Sequence, residues 1–299
     1  MAKVINAQLL DTLGVGFNAA FMDAIGQAPT DHEAFTETVM STTGRNEFAW
    51  MDLLPNVRKW LGDREVQNIS LSKYELVNDD YELTVAVKAN DIDDDNIGVY
   101  GTLFKAQGRA AGAHTCRSMF DLLVGGFVNP CYDGQSYFDT DHPVLNADGV
   151  VRSVANTDGG NGEPWFMLDT MQSIKPLIHQ KRQDWRFIPK DKPTDDNVFN
   201  RKEYVYGMDA RGAFGYSLWQ LGWGSKQAPT AANYKIAREN MIGMKGDFGR
   251  PLGIMPRLVV CGPRNESAFR KLLNSEYGEG GVTNEWKGTC GLLVSPWLA

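Results

Sequence analysis

Residues 139–142, with the sequence Asp-Thr-Asp-His, form the segment whose residue types are best suited to chemistry. Two carboxylates beside an imidazole can bind a metal ion or transfer protons in acid–base catalysis. The remaining histidines, His32, His114 and His179, are isolated in the sequence, and none repeats this pattern. Aspartates followed by Pro143 are also typical of a structural turn. The sequence therefore favours a turn and predicts no catalytic, cofactor-binding or metal-binding residue.

Three further motifs resemble functional sites but lack the context that those sites require. Residues 14–19 fit the G-x-G-x-x-A pattern, yet the residues before them are helical in pattern rather than a strand. Residues 247–249 spell D-F-G without the other kinase motifs, which indicates a turn before Pro251. The acidic run at 91–95 lacks the glycine and glutamate spacing of a calcium loop, so we interpret it as helix capping.

The amino-acid composition argues against a protein that binds nucleic acid tightly. The chain has 30 basic and 37 acidic residues and a formal net charge of -7, whereas duplex binding depends on Lys and Arg neutralising phosphates. Such a charge is equally compatible with simple solubility and with a container whose contents should not adhere to its wall. The four cysteines form no C-x-x-C pair, which is typical of scattered buried thiols in a cytosolic product. No signal-peptide or membrane-spanning pattern occurs, so the sequence predicts a soluble protein made in a cytoplasm.

The first 45 residues contain one apolar stripe at helical spacing. It predicts an amphipathic helix that ends before Pro29 and packs on another surface. The stripe consists of Leu9, Leu10, Leu13, Phe17, Phe21 and Ile25.

Residues 66–89 have the pattern of a β-hairpin. Apolar and polar residues alternate from Tyr81 to Val87, and a shorter alternation lies at Ile69 and Leu71. The turn-forming residues 78–80 (Asn-Asp-Asp) separate the two runs. Because two strands alone are marginally stable in water, we expect this hairpin to need a partner surface, in the same chain or in another.

Residues 96–128 form the most regular segment of the chain. Nine positions spaced alternately by four and three residues define one helical face, and eight of the nine are apolar. This predicts a helix of about 50 Å whose striped face packs on the sheet of its own chain. The stripe consists of Val99, Leu103, Ala106, Ala110, Ala113, Arg117, Phe120, Val124 and Phe127.

The rest of the chain mixes short strands with two helices. Strands are predicted at 203–207, 216–221, 257–261 and 291–294, and helices near 231–244 and 265–276. Partial segregation of the two element types predicts an α+β fold.

Several stretches resemble the Mu-like phage major head subunit family, and the order of elements resembles the Hong Kong 97-type capsid fold. The similarity extends from about residue 40 to the end. The stretches are 90–100 (NDIDDDNIGVY), 129–144 (NPCYDGQSYFDTDHPV), 175–182 (KPLIHQKR), 206–225 (YGMDARGAFGYSLWQLGWGS) and 250–261 (RPLGIMPRLVVC).

The resemblance implies a major capsid protein of a tailed bacteriophage that assembles into an icosahedral shell around double-stranded DNA. Residues 1–62 would be an N-terminal arm and lead-in, 63–92 the E-loop hairpin, 93–226 mainly a peripheral domain with the spine helix, and 227–299 mainly an axial domain. An intersubunit interface is implied at Arg64, Glu65, Ile69, Leu71, Lys73, Tyr74, Tyr81 and Leu83.

The implied partners are other copies of the chain, as hexamers and pentamers, and a portal with a scaffold or protease during assembly. Decoration proteins are a further option, and neither specific DNA binding nor a membrane is expected. The implied location is the virion capsid, assembled in the host cytoplasm. Two alternatives remain: another phage structural part, such as a tail or decoration subunit, and a metal-dependent hydrolase that uses residues 139–142.

Overall fold

The structure is a computed structural model and describes residues 6–48, 74–94, 98–192 and 194–299. Its helices are α1 (Ala7–Gly26), α2 (Ala89–Asp93), α3 (Gly98–Gly125), α4 (Asp196–Arg201), α5 (Ala231–Ile242) and α6 (Pro263–Asn274). Its strands are β1 (Thr36–Met40), β2 (Arg45–Glu47), β3 (Glu75–Val77), β4 (Asp79–Lys88), β5 (His142–Leu145), β6 (Val151–Val154), β7 (Thr157–Gly160), β8 (Trp165–Leu168), β9 (Leu177–Lys190), β10 (Glu203–Tyr216), β11 (Gly222–Lys226), β12 (Lys245–Gly246), β13 (Arg250–Pro251), β14 (Leu258–Cys261) and β15 (Gly291–Val294). Among the described residues, no helix is both long and apolar enough to cross a membrane.

Two larger sheets organise the chain. The first has the strand order β1-β9-β10-β4, and the long strands β9 and β10 form its antiparallel centre. The second has the order β15-β14-β8-β11-β7, and all four residues of β8 are buried. Continuous burial of a strand matches its central position between two neighbours. Helices and strands are thus combined as the sequence predicts for an α+β fold.

Helix α3 is shared by the two hydrophobic cores of the described chain. Near its start, Phe104 and Ala111 pack with α1 and with the inner face of β4 and β10. Near its end, Met119, Phe120 and Leu123 enter the larger core that includes β8, α5 and α6. The predicted spine helix is therefore confirmed in position, with bounds of 98–125 instead of 96–128.

The predicted packing face of α3 is wrong over most of its length. Val99 is 63% exposed and Leu103 is 40% exposed, and Ala106, Ala110 and Arg117 also lie at the surface. The buried row is displaced by about one residue and consists of Phe104, Gly108, Ala111, Cys116, Met119, Phe120 and Leu123. The buried row is spaced by 4, 3, 5, 3, 1 and 3 residues and shares Phe120 with the predicted row, so a search for alternating spacing of four and three selects the predicted row.

Glycine decides which row of α3 is buried. A Cβ on Gly108 would lie 2.2 Å from the carbonyl oxygen of Phe21, and a Cβ on Gly112 would lie 2.4 Å from Cβ of Ala28. Only a residue without a side chain permits α1 to approach α3 this closely. The apolar stripe predicted from the sequence includes neither glycine, so it missed their packing role.

Helix α1 packs on its own chain. Its predicted stripe is buried or half-buried, and Phe17 stacks on Phe104 with ring centroids 4.4 Å apart. Asn6 caps the helix by accepting a hydrogen bond from Leu9 N at 2.8 Å. The surface on which this stripe packs is therefore α3 of the same chain.

The described part of 66–89 is not a hairpin. Strand β3 pairs with β2, and β4 pairs over its whole length with β10 of the same chain. Asn78 is not a turn residue between two paired arms, because its Nδ2 donates to Thr43 O at 2.9 Å and its Oδ1 accepts from Gln180 Nε2 at 2.7 Å. These bonds hold the chain extended, so the alternating strand finds its buried face within the subunit.

Acidic residues 91, 93 and 94 do not cap α3. Asp91 and Asp93 lie in the separate short helix α2, and Asp94 follows it. Asp91 accepts a hydrogen bond from the Tyr100 hydroxyl at 2.5 Å, so it ties α2 to the first turns of α3. Residue 95 lies outside the described residues.

Most other predicted elements are confirmed. Helices α5 and α6 and strands β14 and β15 match the predicted segments, and all four cysteines are buried and unpaired. Residues 247–249 form the predicted turn, between β12 and β13, and Phe248 there has a positive φ of 61°. The strand predicted at 216–221 is wrong, because β10 ends at Tyr216 and Trp219–Leu221 is a 3-10 turn.

Candidate functional site

Five of the eight predicted interface residues lie outside the described residues: Arg64, Glu65, Ile69, Leu71 and Lys73. Tyr74 precedes β3 and is half-buried, and its hydroxyl accepts a hydrogen bond from Tyr216 N at 3.0 Å. The structure therefore gives Tyr74 a role inside its own subunit, and the intersubunit assignment of these residues stays a prediction.

Tyr81 and Leu83 lie on β4 at the free edge of the four-stranded sheet. The Tyr81 ring lies 4.5 Å from the His114 ring and 6.0 Å from the Phe214 ring. Leu83 packs against the core that α1 and α3 share. Both side chains are half-buried by their own chain, so each has only part of its surface left for a second copy.

The predicted chemical cluster contains His142, but its carboxylate partner is not one of the two that the sequence suggested. Asp139 Oδ1 accepts a hydrogen bond from the next backbone amide, Thr140 N, and Asp141 accepts one from the Ser153 hydroxyl. Asp133 instead approaches the imidazole, with Oδ2 at 2.7 Å from His142 Nδ1. Residues 133 and 142 meet because the chain returns across the end of α3 into β5.

Three different donor types converge at this point. Cys131 Sγ donates to Asp133 Oδ1 at 3.1 Å, and the thiol, carboxylate and imidazole atoms all lie within 4.8 Å of one another. His142 is fully buried, and its ring stacks on Trp219 with centroids 3.9 Å apart and planes inclined by 6°. We call Cys131, Asp133 and His142 the His142 cluster.

Asn156 fixes the far side of the imidazole. Its Nδ2 donates to the carbonyls of Tyr137, Trp219 and Gly222 at 2.8, 3.1 and 3.2 Å. Its Oδ1 lies 3.2 Å from His142 Nε2. Three carbonyl acceptors determine which way the amide points, so Oδ1 faces the ring.

Electrostatics do not favour covalent catalysis here. Burial raises the pKa of the Cys131 thiol far above its ordinary value, and the Asp133 charge raises it further. Burial also acts to raise the pKa of Asp133, but hydrogen bonds from His142 and Cys131 outweigh it and leave this pKa lowered. A catalytic thiol requires a lowered pKa and a base beside it, whereas Cys131 faces a carboxylate.

Sequence reasoning identified His142 but missed Cys131, Asp133 and Asn156. A signal was present, since Cys-Tyr-Asp-Gly and Asp-His-Pro both lie within the quoted stretch 129–144. The sequence suggested Asp139 and Asp141 because they stand next to His142 in the chain. Sequence spacing does not show that the loop brings Asp133 back to His142. The cluster has ligand atoms for a metal ion. Its hydrogen bonds and ring stacking also give it a structural role, because they hold the loop against the core.

The whole chain resembles phage capsid subunits in solved structures. It matches the procapsid of bacteriophage JBD30 with a TM-score of 0.83 and 35% identity, covering 98% of this chain and 100% of that chain. It also matches the JBD30 capsid decorated with minor capsid protein trimers, with a TM-score of 0.78 and 29% identity, covering 99% and 100%. The fold is therefore an α+β phage capsid fold of the expected Hong Kong 97 type.

The chain belongs to the Mu-like prophage major head subunit gpT family, whose model matches residues 10–298. It is 38% identical over 293 residues to the Mu-like prophage FluMu major head subunit of Haemophilus influenzae, covering 95% of each. It is 32% identical over 304 residues to the major capsid protein of Escherichia phage Mu, covering 99% of this chain and 100% of that one. The expected family is confirmed, and the protein is a major head subunit of a tailed phage.

Proposed function

We propose that this head subunit assembles with copies of itself, as hexamers and pentamers, into an icosahedral shell that encloses double-stranded DNA. The observation that carries the proposal is the exposure of large apolar side chains at several separate places on the described residues.

Large apolar side chains of the described residues are exposed at several places. Val99 of α3, Phe199 of α4, and Val128 and Met171 in loops are between 63% and 82% exposed. Scattered apolar exposure over several elements suits a subunit with many neighbours better than a protein with a single partner.

The domain assignment is part of the same proposal. Residues 1–62 act as the N-terminal arm and lead-in, 63–92 as the E-loop, 93–226 mainly as the peripheral domain, and 227–299 mainly as the axial domain. Since β4 pairs with β10 of its own chain, we place the intersubunit contact of the E-loop chiefly in Arg64, Glu65, Ile69, Leu71 and Lys73. Tyr81 and Leu83 contribute only their exposed parts.

Assembly of the double variant Ile69→Asp/Leu71→Asp tests this assignment. We expect a folded, soluble subunit that forms no shells, because the charges would have to be buried against a neighbour. Size-exclusion chromatography with electron microscopy measures assembly, and thermal unfolding of the free subunit measures folding. The matched variant Leu83→Asp should instead lower the thermal midpoint of the subunit itself. Shells of normal size from the double variant would contradict the interface.

A second proposal is that the protein catalyses no reaction. The His142 cluster has a buried, neutral thiol and a histidine that is fully enclosed. We expect neither wild-type protein nor His142→Ala to show metal-dependent hydrolase or nuclease activity in assays of pure protein. An activity that wild-type protein has and His142→Ala lacks would instead support the hydrolase alternative.

A third proposal concerns the genome. With a net charge of -7, the subunit should bind duplex DNA weakly and without sequence preference. Fluorescence anisotropy with two unrelated duplexes at physiological salt should give equal and weak binding. Tight binding of either duplex by free subunits would overturn this expectation.

Further partners are proposed on the family resemblance. They are a portal protein, a scaffold or protease during assembly in the host cytoplasm, and decoration proteins on the finished shell. Decoration is the best supported of these, because one matching JBD30 capsid carries minor capsid protein trimers.

A further inference from the structure

The His142 cluster brings three ligand atoms of different types to one point. Cys131 Sγ, an Asp133 carboxylate oxygen and a His142 ring nitrogen all lie within 4.8 Å of one another. Asn156 Oδ1 lies 3.2 Å from His142 Nε2, so Nδ1, at 2.7 Å from Asp133 Oδ2, is the ring nitrogen that faces the other two side chains.

The thiol favours a metal ion over a simple hydrogen bond between Nδ1 and Oδ2. A hydrogen bond uses only the imidazole and one carboxylate oxygen, and it leaves Cys131 as a weak donor to the other oxygen. A metal ion uses all three side chains as ligands. Sulfur, imidazole nitrogen and carboxylate oxygen together are a ligand set that zinc binds in proteins.

We propose that Cys131, Asp133 and His142 bind one divalent ion of the zinc class. This departs from the prediction that the chain has no metal-binding residue. The surroundings match those of metal-binding histidines, which commonly donate their second ring N–H to a fixed oxygen. Here Asn156 Oδ1 is that oxygen, and Gln135 N donates to Asp133 Oδ1 at 3.0 Å and orients the carboxylate.

Access and charge are consistent with the proposal. The side chain of Asp133 is 10% exposed while that of His142 is fully buried, so an ion and a water molecule can reach the cluster from the Asp133 side. Binding converts the Cys131 thiol to a thiolate and releases its proton, so the affinity rises with pH. The ion would fasten residues 131–133, which follow α3, to the first residue of β5.

Metal analysis of the purified full-length chain tests the proposal. Protein produced with added zinc and dialysed should retain about one zinc ion per chain by mass spectrometry of the metal content. Exchange for cobalt should produce the thiolate-to-cobalt absorption band. Removing the metal with a chelator should lower the thermal midpoint, and adding zinc should restore it.

Two matched variants locate the ligand. Cys131→Ser should lose the cobalt band, whereas Cys290→Ser, which changes another buried thiol far from the cluster in sequence, should keep it. Wild-type protein that retains no zinc and gives no cobalt band would overturn the proposal and leave His142 and Asp133 as a hydrogen-bonded pair. A band that persists in Cys131→Ser would also overturn it. Neither result depends on whether the subunit assembles into shells.

Discussion

Phe120→Ala should destabilise the subunit by about 3–5 kcal/mol, the usual range for removing a buried phenylalanine. Phe120 is fully buried in the larger core, and its ring meets Phe35 edge-on with centroids 5.4 Å apart. The helix that carries it serves both cores, so a cavity there weakens the connection between them. Urea unfolding of the unassembled subunit, followed by circular dichroism, measures the loss. Because domains are commonly stable by only about 5–15 kcal/mol, soluble yield should also fall.

Leu103→Ala is the matched control on the same helix. The sequence stripe placed Leu103 and Phe120 on one packed face, which predicts similar costs for both. In the structure Leu103 is 40% exposed, so its truncation should cost less than about 1 kcal/mol in the free subunit. Equal losses for the two variants would mean that the predicted stripe is the buried one. If Leu103→Ala impairs shell formation without lowering stability, its exposed face contacts another subunit.

Local elements of this fold could be predicted from sequence because their signals are local. The amphipathic stripe of α1, the apolar runs of β14 and β15 and the helical spacing of α6 are each complete within about twenty residues. Pairing could not be predicted in the same way. The alternation at 81–87 indicates a strand correctly, but alternation does not say whether its partner is the preceding segment or β10, more than a hundred residues later.

The face of α3 shows a second limit. A search for apolar side chains at helical spacing counts alanine and valine but not glycine. It therefore selected the row of Val99 and Leu103 as the packed face. The buried row includes Gly108, whose value lies in having no side chain where another backbone approaches. Such a role depends on the position of α1 and cannot be read from composition.

The sequence predicted only part of the His142 cluster, because the other members depend on how the chain folds back. His142 was recognised by its residue type, and its structural role was favoured because Pro143 follows it. Its partners Asp133 and Asn156 lie 9 and 14 positions away. Sequence spacing carries no distance information over a loop of that kind, so the neighbouring aspartates were assigned in their place.

Gly108→Leu should separate α1 from α3 and destabilise the subunit by roughly 3 kcal/mol or more, at the upper end of overpacking effects. Even the first carbon of the new side chain would lie 2.2 Å from the Phe21 carbonyl oxygen and 2.9 Å from Ala24 Cβ. The first of these is backbone and cannot rotate away. Relief requires α1 to move outward, which pulls Phe17 from its stack on Phe104.

Gly101→Leu provides the control for helix propensity. It lies on the same helix, and a Cβ there has nothing within 4 Å, so the change should stabilise α3 by up to about 1 kcal/mol. Thermal unfolding should therefore shift in opposite directions for the two variants. Hydrogen exchange adds a local measurement. The amides of α1 should exchange faster than in wild-type protein in Gly108→Leu and at the wild-type rate in Gly101→Leu. Equal exchange in both variants would show that α1 is not held to the spine through Gly108.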